Sequence, residues 1–274
     1  MSLTDANRLC DALMPAVLEA GRVEMRHFAN GVTIEKKADK SPVTAADREA
    51  EAIIVSALSR LLPDVPIVAE EAAADGHLPP PASRFLLVDA LDGTHMFIRG
   101  KPEFSVNIAL IEDERPVFGL VYGPASGNLF ATRSGLKSYS TEVMPNAAPQ
   151  SLLGLPWSEL KSRPPDRAKL VAFNSRSAGG ACADFLAELN VAEARPLGSS
   201  LKFCLIAKGD GDLYARFGTT YEWDTAAGQA ILEAAGGTVA TLDGVPLRYG
   251  KAARAYLNPH FVAWGRAPLL IRTD

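Results

Sequence analysis

Apolar residues in the first sixty positions recur at helical spacing. Leu9, Leu13, Ala16, Val17, Ala20 and Val23 form one stripe, which predicts a helix from Thr4 to about Phe28 with a kink at Pro15. A second helix is predicted from Thr44 to Leu62. The period then shortens to that of strands at Pro66–Ala69, Phe85–Val88, Ser105–Ile111, Val117–Tyr122 and Leu129–Thr132, joined by turns such as Glu112-Asp113-Glu114-Arg115-Pro116. This half reads as two helices on a largely antiparallel sheet. Between Met144 and Pro165 the prolines at 145, 149, 156, 164 and 165 mark a linker. Beyond it strands and helices alternate: strand Leu170–Phe173, helix Ala181–Leu189, strand Ala194–Leu197, helix Leu201–Lys208, strand Asp212–Phe217, helix Thr225–Ala235. The expected division is an α+β unit over 1–147 followed by an α/β unit over 148–274.

Length and charge narrow the function more than they refine the fold. At 274 residues the chain can bury one large core or two moderate ones, and 47% hydrophobic with 22% charged residues is ordinary for a globular protein. The formal charge is −4, and no basic run exceeds Lys36-Lys37, which argues against a nucleic-acid polymer as partner. An anionic substrate therefore needs a metal or a focused basic pocket. No apolar stretch reaches the roughly 18–20 residues of a membrane span, and the first residues lack the charged and apolar regions of a signal peptide. Cys10, Cys182 and Cys204 are odd in number and scattered, which fits neither a disulfide framework nor a zinc site and points to a reducing cytoplasm. Lys208-Gly209-Asp210-Gly211-Asp212 lacks the spacing of a calcium loop and reads as a turn.

The candidate chemistry sits in Val88-Asp89-Ala90-Leu91-Asp92-Gly93-Thr94, where two acids, a glycine and a hydroxyl follow a buried strand. Packed carboxylates repel unless a cation or a shared proton intervenes, and hard oxygen ligands suit Mg²⁺. Gly93 allows a sharp turn, and backbone amides there can hold an anion. A surface turn rich in Asp explains the same residues without chemistry. Three further acids carry the same ambiguity. Glu70 ends the apolar run Pro66–Ala69 and can reach the rim of Asp89, or be a solvated strand end. Asp47 lies three residues after Thr44 in an approximate capping box. Asp224 precedes the last strong helix and suffices as an N-cap, worth about 0.5–2 kcal/mol.

Taken in order, Pro42-Val43-Thr44-Ala45-Ala46-Asp47, Ala69-Glu70-Glu71, Asp89-Ala90-Leu91-Asp92-Gly93-Thr94 and Trp223-Asp224-Thr225-Ala226-Ala227-Gly228 resemble the inositol monophosphatase superfamily of Mg²⁺-dependent, lithium-sensitive phosphatases. The stretches Phe97 to Ile111, Gly198-Ser199-Ser200-Leu201-Lys202-Phe203-Cys204 and Tyr256-Leu257-Asn258-Pro259-His260-Phe261 are similar to its bacterial 3'(2'),5'-bisphosphate nucleotidases. The resemblance implies an α+β / α/β two-domain fold layered as an αβαβα sandwich. It implies two or three Mg²⁺ ions, with Glu70, Asp89 and the Leu91 carbonyl on one, and Asp89, Asp92 and Asp224 on a second. Thr94, backed by Asp47, would orient the attacking water, and the amides of Gly93 and Thr94 would hold the scissile phosphate. Glu70, Leu91, Asp92, Gly93, Thr94 and Asp224 would thus also meet the substrate, while Ser199, Lys202 and Arg216 would hold the rest of a nucleotide and its second phosphate.

By that resemblance the expected reaction removes the 3'-phosphate of adenosine 3',5'-bisphosphate to give AMP, in a cytoplasmic monomer or homodimer, with peripheral attachment to the inner membrane left open. Hydrolysis of inositol, sugar or histidinol monophosphates is the alternative within the superfamily, and a metal or nucleotide sensor without catalysis is the alternative outside it. The chain departs from the pattern at Ala90, at His95-Met96 and at Ala178, so recognition of the base is the least supported expectation. His95 reads as a loop residue beside the site.

Overall fold

The computed structural model describes residues 6–31, 33–37, 42–133, 137–148, 154–176 and 179–266. The first apolar stripe forms α1 (Ala6–Asn30), which buries Leu9, Leu13, Val17 and Leu18. This helix runs unbroken through Pro15, an exposed residue. The carbonyl that Pro15 leaves without a donor belongs to exposed Asp11, where water can serve it. A short antiparallel arm, β1 (Ile34–Lys36) with β2 (Pro42–Thr44), was not anticipated. It delivers the chain to α2 (Ala45–Leu61), whose capping box is formed as expected: Thr44 Oγ1 accepts the Ala46 N–H, and Asp47 Oδ2 accepts the Thr44 N–H at 2.8 Å.

One sheet has seven strands: β3 (Ile67–Ala69), β4 (Arg84–Asp92), β5 (Ser105–Glu112), β6 (Arg115–Gly123), β7 (Asn128–Arg133), β8 (Lys137–Glu142) and β9 (Ser158–Glu159), in that order. Only β3 and β4 are parallel, as befits a chain that meanders by short hairpins. Asp113 and Glu114 make the two-residue hairpin loop between β5 and β6, both with positive φ (47° and 63°). The polar strand β8 has no apolar run to announce it. Strand β9 falls inside the proline-rich segment, so that segment still adds to the first sheet.

The second sheet orders β11 (Glu193–Pro196), β10 (Val171–Asn174), β12 (Leu213–Arg216), β14 (Phe261–Trp264) and β13 (Thr238–Thr241). Helices α1 and α2 cover the outer face of the first sheet, through Leu13, Ile54, Leu86 and Ile108. Helices α6 (Leu201–Lys208) and α7 (Ala226–Ala234) fill the space between the sheets, and α5 (Gly180–Glu188) covers the far face of the second with Cys182 and Leu186. The result is the expected αβαβα layering. Phe85, Leu87 and Ile111 from one half and Phe203, Ile231 and Phe261 from the other share a single core, so the change of pattern near residue 148 does not separate two cores. Close contact of α7 with β6 depends on Gly119, where a Cβ would lie 2.3 Å from the Ala227 carbonyl oxygen. Asp212 is fully buried. It accepts both guanidinium bonds of Arg163 and the Val171 N–H, which ties the end of the proline-rich segment to the second sheet.

Candidate active site

Strand β4 does not end at Val88 but continues to Asp92 through an irregularity. Asp89 pairs with Asn107 and Asp92 with Ser105, so three steps on β4 oppose two on β5. In a regular strand, residues three apart face opposite sides. The inserted residue cancels that alternation and brings Asp89 and Asp92 to one rim. The neighbouring parallel strand places Ala69 beside Val88, which sets Glu70 next to Asp89. Glu70 opens α3 (Glu70–Ala74), a one-turn helix whose first amides are satisfied by a carboxylate from α2: Glu51 accepts the N–H groups of Glu71 (2.7 Å) and Ala72 (2.9 Å). Asp224 ends a short 3₁₀ turn (Glu222–Asp224) and accepts the Tyr221 N–H at 2.8 Å; it does not cap α7 itself. Carboxylate atoms of Glu70, Asp89 and Asp224 lie within 4.8 Å of one another.

Such crowding has an electrostatic cost. Burial raises the Asp89 carboxyl well above the usual range, and the charges of Glu70, Asp92 and Asp224 push it in the same direction. Asp224 is raised well above that range by the protein packed around it and by Asp92 and Glu70; Glu70 is raised by burial despite Lys37. Lys37 reaches in from the end of the β1–β2 arm, with Nζ 2.6 Å from both Glu70 and Glu71. A partly buried set of carboxylate oxygens that repel one another fits a hard divalent cation.

The residues around the cage are held in place. Asp92 Oδ2 accepts the N–H of Ser200 (2.5 Å), its hydroxyl (3.1 Å) and Asn107 Nδ2 (3.2 Å), so Asp92 stands at the shoulder of the three-acid cluster. Thr94 Oγ1 donates to Asp47 Oδ1 at 3.0 Å and lies 3.3 Å from the Leu91 carbonyl oxygen. The second oxygen of Asp47 is taken by the N–H and hydroxyl of Thr44. Asp47 therefore completes the capping box and fixes Thr94 at once. Gly93 turns the chain with φ 97°, and a Cβ there would meet the Glu103 carbonyl oxygen at 2.8 Å.

The acids Glu70, Asp89, Asp92 and Asp224 and the turn from Leu91 to Thr94 line a cavity of about 620 Å³ together with Ser199, Lys202, Arg216 and the exposed His95. Lys202 is buried, donates to the carbonyls of Ser199 (2.5 Å) and Leu197 (3.3 Å), and sits 4.9 Å from the Tyr214 ring centre. Burial lowers its ammonium to about 8. Arg216 donates to the carbonyls of Gly218 (3.2 Å) and Thr219 (2.5 Å). Every site residue singled out in the sequence lines this cavity or, as Asp47 does, braces a residue that lines it; Ala178 lies outside the described residues. The sequence reading missed Glu51, Lys37, Asn107 and Ser200. Asn107 was detectable, as a polar residue in the apolar run Ser105–Ile111, whereas the others reveal their roles only through partners distant in sequence.

The model of the inositol monophosphatase family matches residues 5–271. The chain belongs to that family. A 3'(2'),5'-bisphosphate nucleotidase CysQ from Escherichia coli O157:H7 is 39% identical over 255 residues, covering 92% of this chain and 98% of that protein. Among solved structures, CysQ from Bacteroides thetaiotaomicron superposes with a TM-score of 0.75 at 32% identity, covering 94% of this chain and 97% of that one. The inositol monophosphatase of Thermotoga maritima gives 0.74 at 25% identity, with 94% and 91% covered. Membership in the inositol monophosphatase family thus agrees with the layered fold, and among the described residues no helix is long and apolar enough to cross a membrane.

Proposed function

We propose that this inositol monophosphatase family member is a 3'(2'),5'-bisphosphate nucleotidase that hydrolyses the 3'-phosphate of adenosine 3',5'-bisphosphate to AMP and phosphate. The observation that carries the reading is one cavity lined both by an acidic cage and by Ser199, Lys202 and Arg216. The CysQ relatives support the choice of substrate. Glu70, Asp89, Asp92, Asp224 and the Leu91 carbonyl would hold Mg²⁺, which when bound supplies Lewis-acid polarisation of water and phosphate. The chain's own groups then set direction. The single hydroxyl proton of Thr94 points to Asp47, so the Thr94 oxygen is left to accept a hydrogen bond from a water and aim it at phosphorus. Amides of Gly93 and Thr94 stabilise charge gathering on the phosphoryl oxygens. The water oxygen bonds to phosphorus, the bond from phosphorus to the ribose 3'-oxygen breaks, and that oxygen leaves with a proton.

A substrate panel tests this assignment. Phosphate release from adenosine 3',5'-bisphosphate is expected to exceed that from inositol 1-phosphate, sugar phosphates or histidinol phosphate; the reverse order would favour the monophosphatase reading, and no Mg²⁺-dependent turnover at all would favour a sensor. Lys202 adds a pH signature. Only its protonated form attracts phosphate, and its ammonium is lowered to about 8. KM for the bisphosphate is therefore expected to climb above pH 8, and to lose that climb in Lys202→Met. A KM that stays flat from pH 7 to 9 in the wild type would remove Lys202 from substrate binding.

A further inference from the structure

Ser199, on the cavity wall, has φ 52°, a left-handed conformation that a residue other than glycine keeps only where its neighbours are fixed. Both neighbours are. On one side Asp92 accepts the Ser200 N–H and hydroxyl. On the other, Glu103 Oε2 accepts the Gly198 N–H at 2.8 Å. The same carboxylate takes a two-pronged bond from Arg176, whose Nε donates to Oε2 at 2.8 Å and whose Nη2 donates to Oε1. The backbone of Glu103 is as closely engaged as its side chain. A Cβ on Gly198 would lie 2.6 Å from the Glu103 carbonyl oxygen, and a Cβ on Gly93 would lie 2.8 Å from that same oxygen. Glu103 therefore touches two turns at once: the one that opens α4 (Thr94–Ile98) with the water-aiming Thr94, and the one that leads into α6. Arg176 comes to it from the other half of the chain, just beyond β10.

We propose that the Glu103–Arg176 ion pair is a positioning device: it fixes the Gly198–Ser200 turn against the Gly93–Thr94 turn, and so sets how far the groups that hold the rest of the substrate stand from the reacting phosphate. The inference rests on the bisphosphate assignment and adds two residues that enforce its geometry from outside the substrate's reach. Lys202 carries the effect onward. Its Nζ donates to the carbonyls of Leu197 and Ser199, on either side of Gly198, so a shift of this turn moves the ammonium with it. A wall ordered before substrate arrives loses less entropy on binding than a loose one. The pair is suited to the task, because its bond is bidentate and its carboxylate side chain is only 15% exposed, the conditions under which an ion pair near the surface contributes most.

The test compares adenosine 3',5'-bisphosphate with adenosine 3'-monophosphate, which share the reacting phosphate, in Glu103→Gln, Arg176→Met and the double variant. Glutamine keeps an acceptor for the Gly198 N–H and loses the charge that fixes Arg176. Each single substitution is expected to raise KM for the bisphosphate about fivefold, with its kcat, and kcat/KM for the monophosphate, within about twofold of wild type. The double variant should match the singles instead of multiplying them, because all three break one bond. Arg176→Lys, which keeps the charge without the fork, should recover part of the loss. Arg176 is exposed, so Arg176→Met is expected to keep the wild-type Tm and to carry the comparison if Glu103→Gln folds poorly. Equal losses on the two esters, or a bisphosphate KM within about twofold of wild type in Arg176→Met, overturn the inference alone, provided that the wild type prefers the bisphosphate. So does a Glu103→Gln that leaves KM unchanged while Arg176→Met raises it, since Arg176 then meets the substrate directly. A wild type that prefers inositol 1-phosphate overturns the bisphosphate assignment, and the role of the pair with it.

Discussion

Asp89→Asn is expected to lower turnover by about 10³-fold or more while making the metal-free protein more stable. Asp89 is the most buried of the three clustered acids and the one whose charge faces Glu70, Asp92 and Asp224 together. Removing that charge takes away a cation ligand and relieves the repulsion that burial amplifies. The stability gain is expected to be about 1–2 kcal/mol with a chelator present, and to shrink or reverse in excess Mg²⁺, where only the wild type gains from binding. The sign follows from linkage. Asp89 has a raised carboxyl in the fold, so its contribution is fully present below its unfolded value near 3.8 and is lost as pH rises through the folded one. Wild type and variant should therefore converge at low pH and separate toward neutral pH. Thermal melts with and without Mg²⁺ and a phosphate-release assay check both halves; near-normal turnover in saturating Mg²⁺, or a loss of metal-free stability, would contradict the assigned role.

Glu24→Leu is expected to stabilise the protein by about 2 kcal/mol at neutral pH. Glu24 lies on α1, fully buried, and neither of its carboxyl oxygens has a hydrogen-bond partner. Burial raises this carboxyl well above the ordinary value, with the Asp47 charge adding to the effect. An uncharged acid without partners gives up its hydration and receives nothing back, whereas leucine there adds apolar surface to the core. Because the folded form holds its proton more tightly than the unfolded one, the wild type's stability falls as pH rises above about 4.5, the unfolded value. The advantage of the leucine variant should accordingly widen between pH 4.5 and 8. Urea unfolding at those two pH values measures it, and a variant less stable at both would mean that Glu24 makes hydrogen bonds in solution that outweigh its burial.

Both substitutions concern groups whose residue types were plain in the sequence and whose environments were not. Helical periodicity found α1, α2, α5, α6 and α7 because each presents a long apolar face, and α6 was read with the bounds Leu201–Lys208 that the structure has. The strands β13 and β14 went unread, since Thr238–Thr241 and Phe261–Trp264 are only four residues each and form by pairing with each other and with β12. Helices α3 and α4 were missed for a related reason. One turn of helix is unstable by itself; α3 persists because Glu51 supplies its missing acceptors, and α4 follows the left-handed Gly93 turn packed against Glu103.

By itself the sequence determined the inventory and its order: the Thr44–Asp47 capping box, the acids at 70, 89, 92 and 224, the Gly93-Thr94 turn, and the succession of helical and strand periods. Those are properties of residue type and near-neighbour spacing. Tertiary structure alone decided that Asp89 and Asp92 share a rim, because an extra residue in β4 overrides the alternation of a regular strand. It also decided that Glu70 and Asp224 meet Asp89, through the parallel register of β3 and the docking of α7 between the sheets. Bringing like charges together is locally unfavourable at every step, so no local pattern encodes it; the burial of a common core holds them in place.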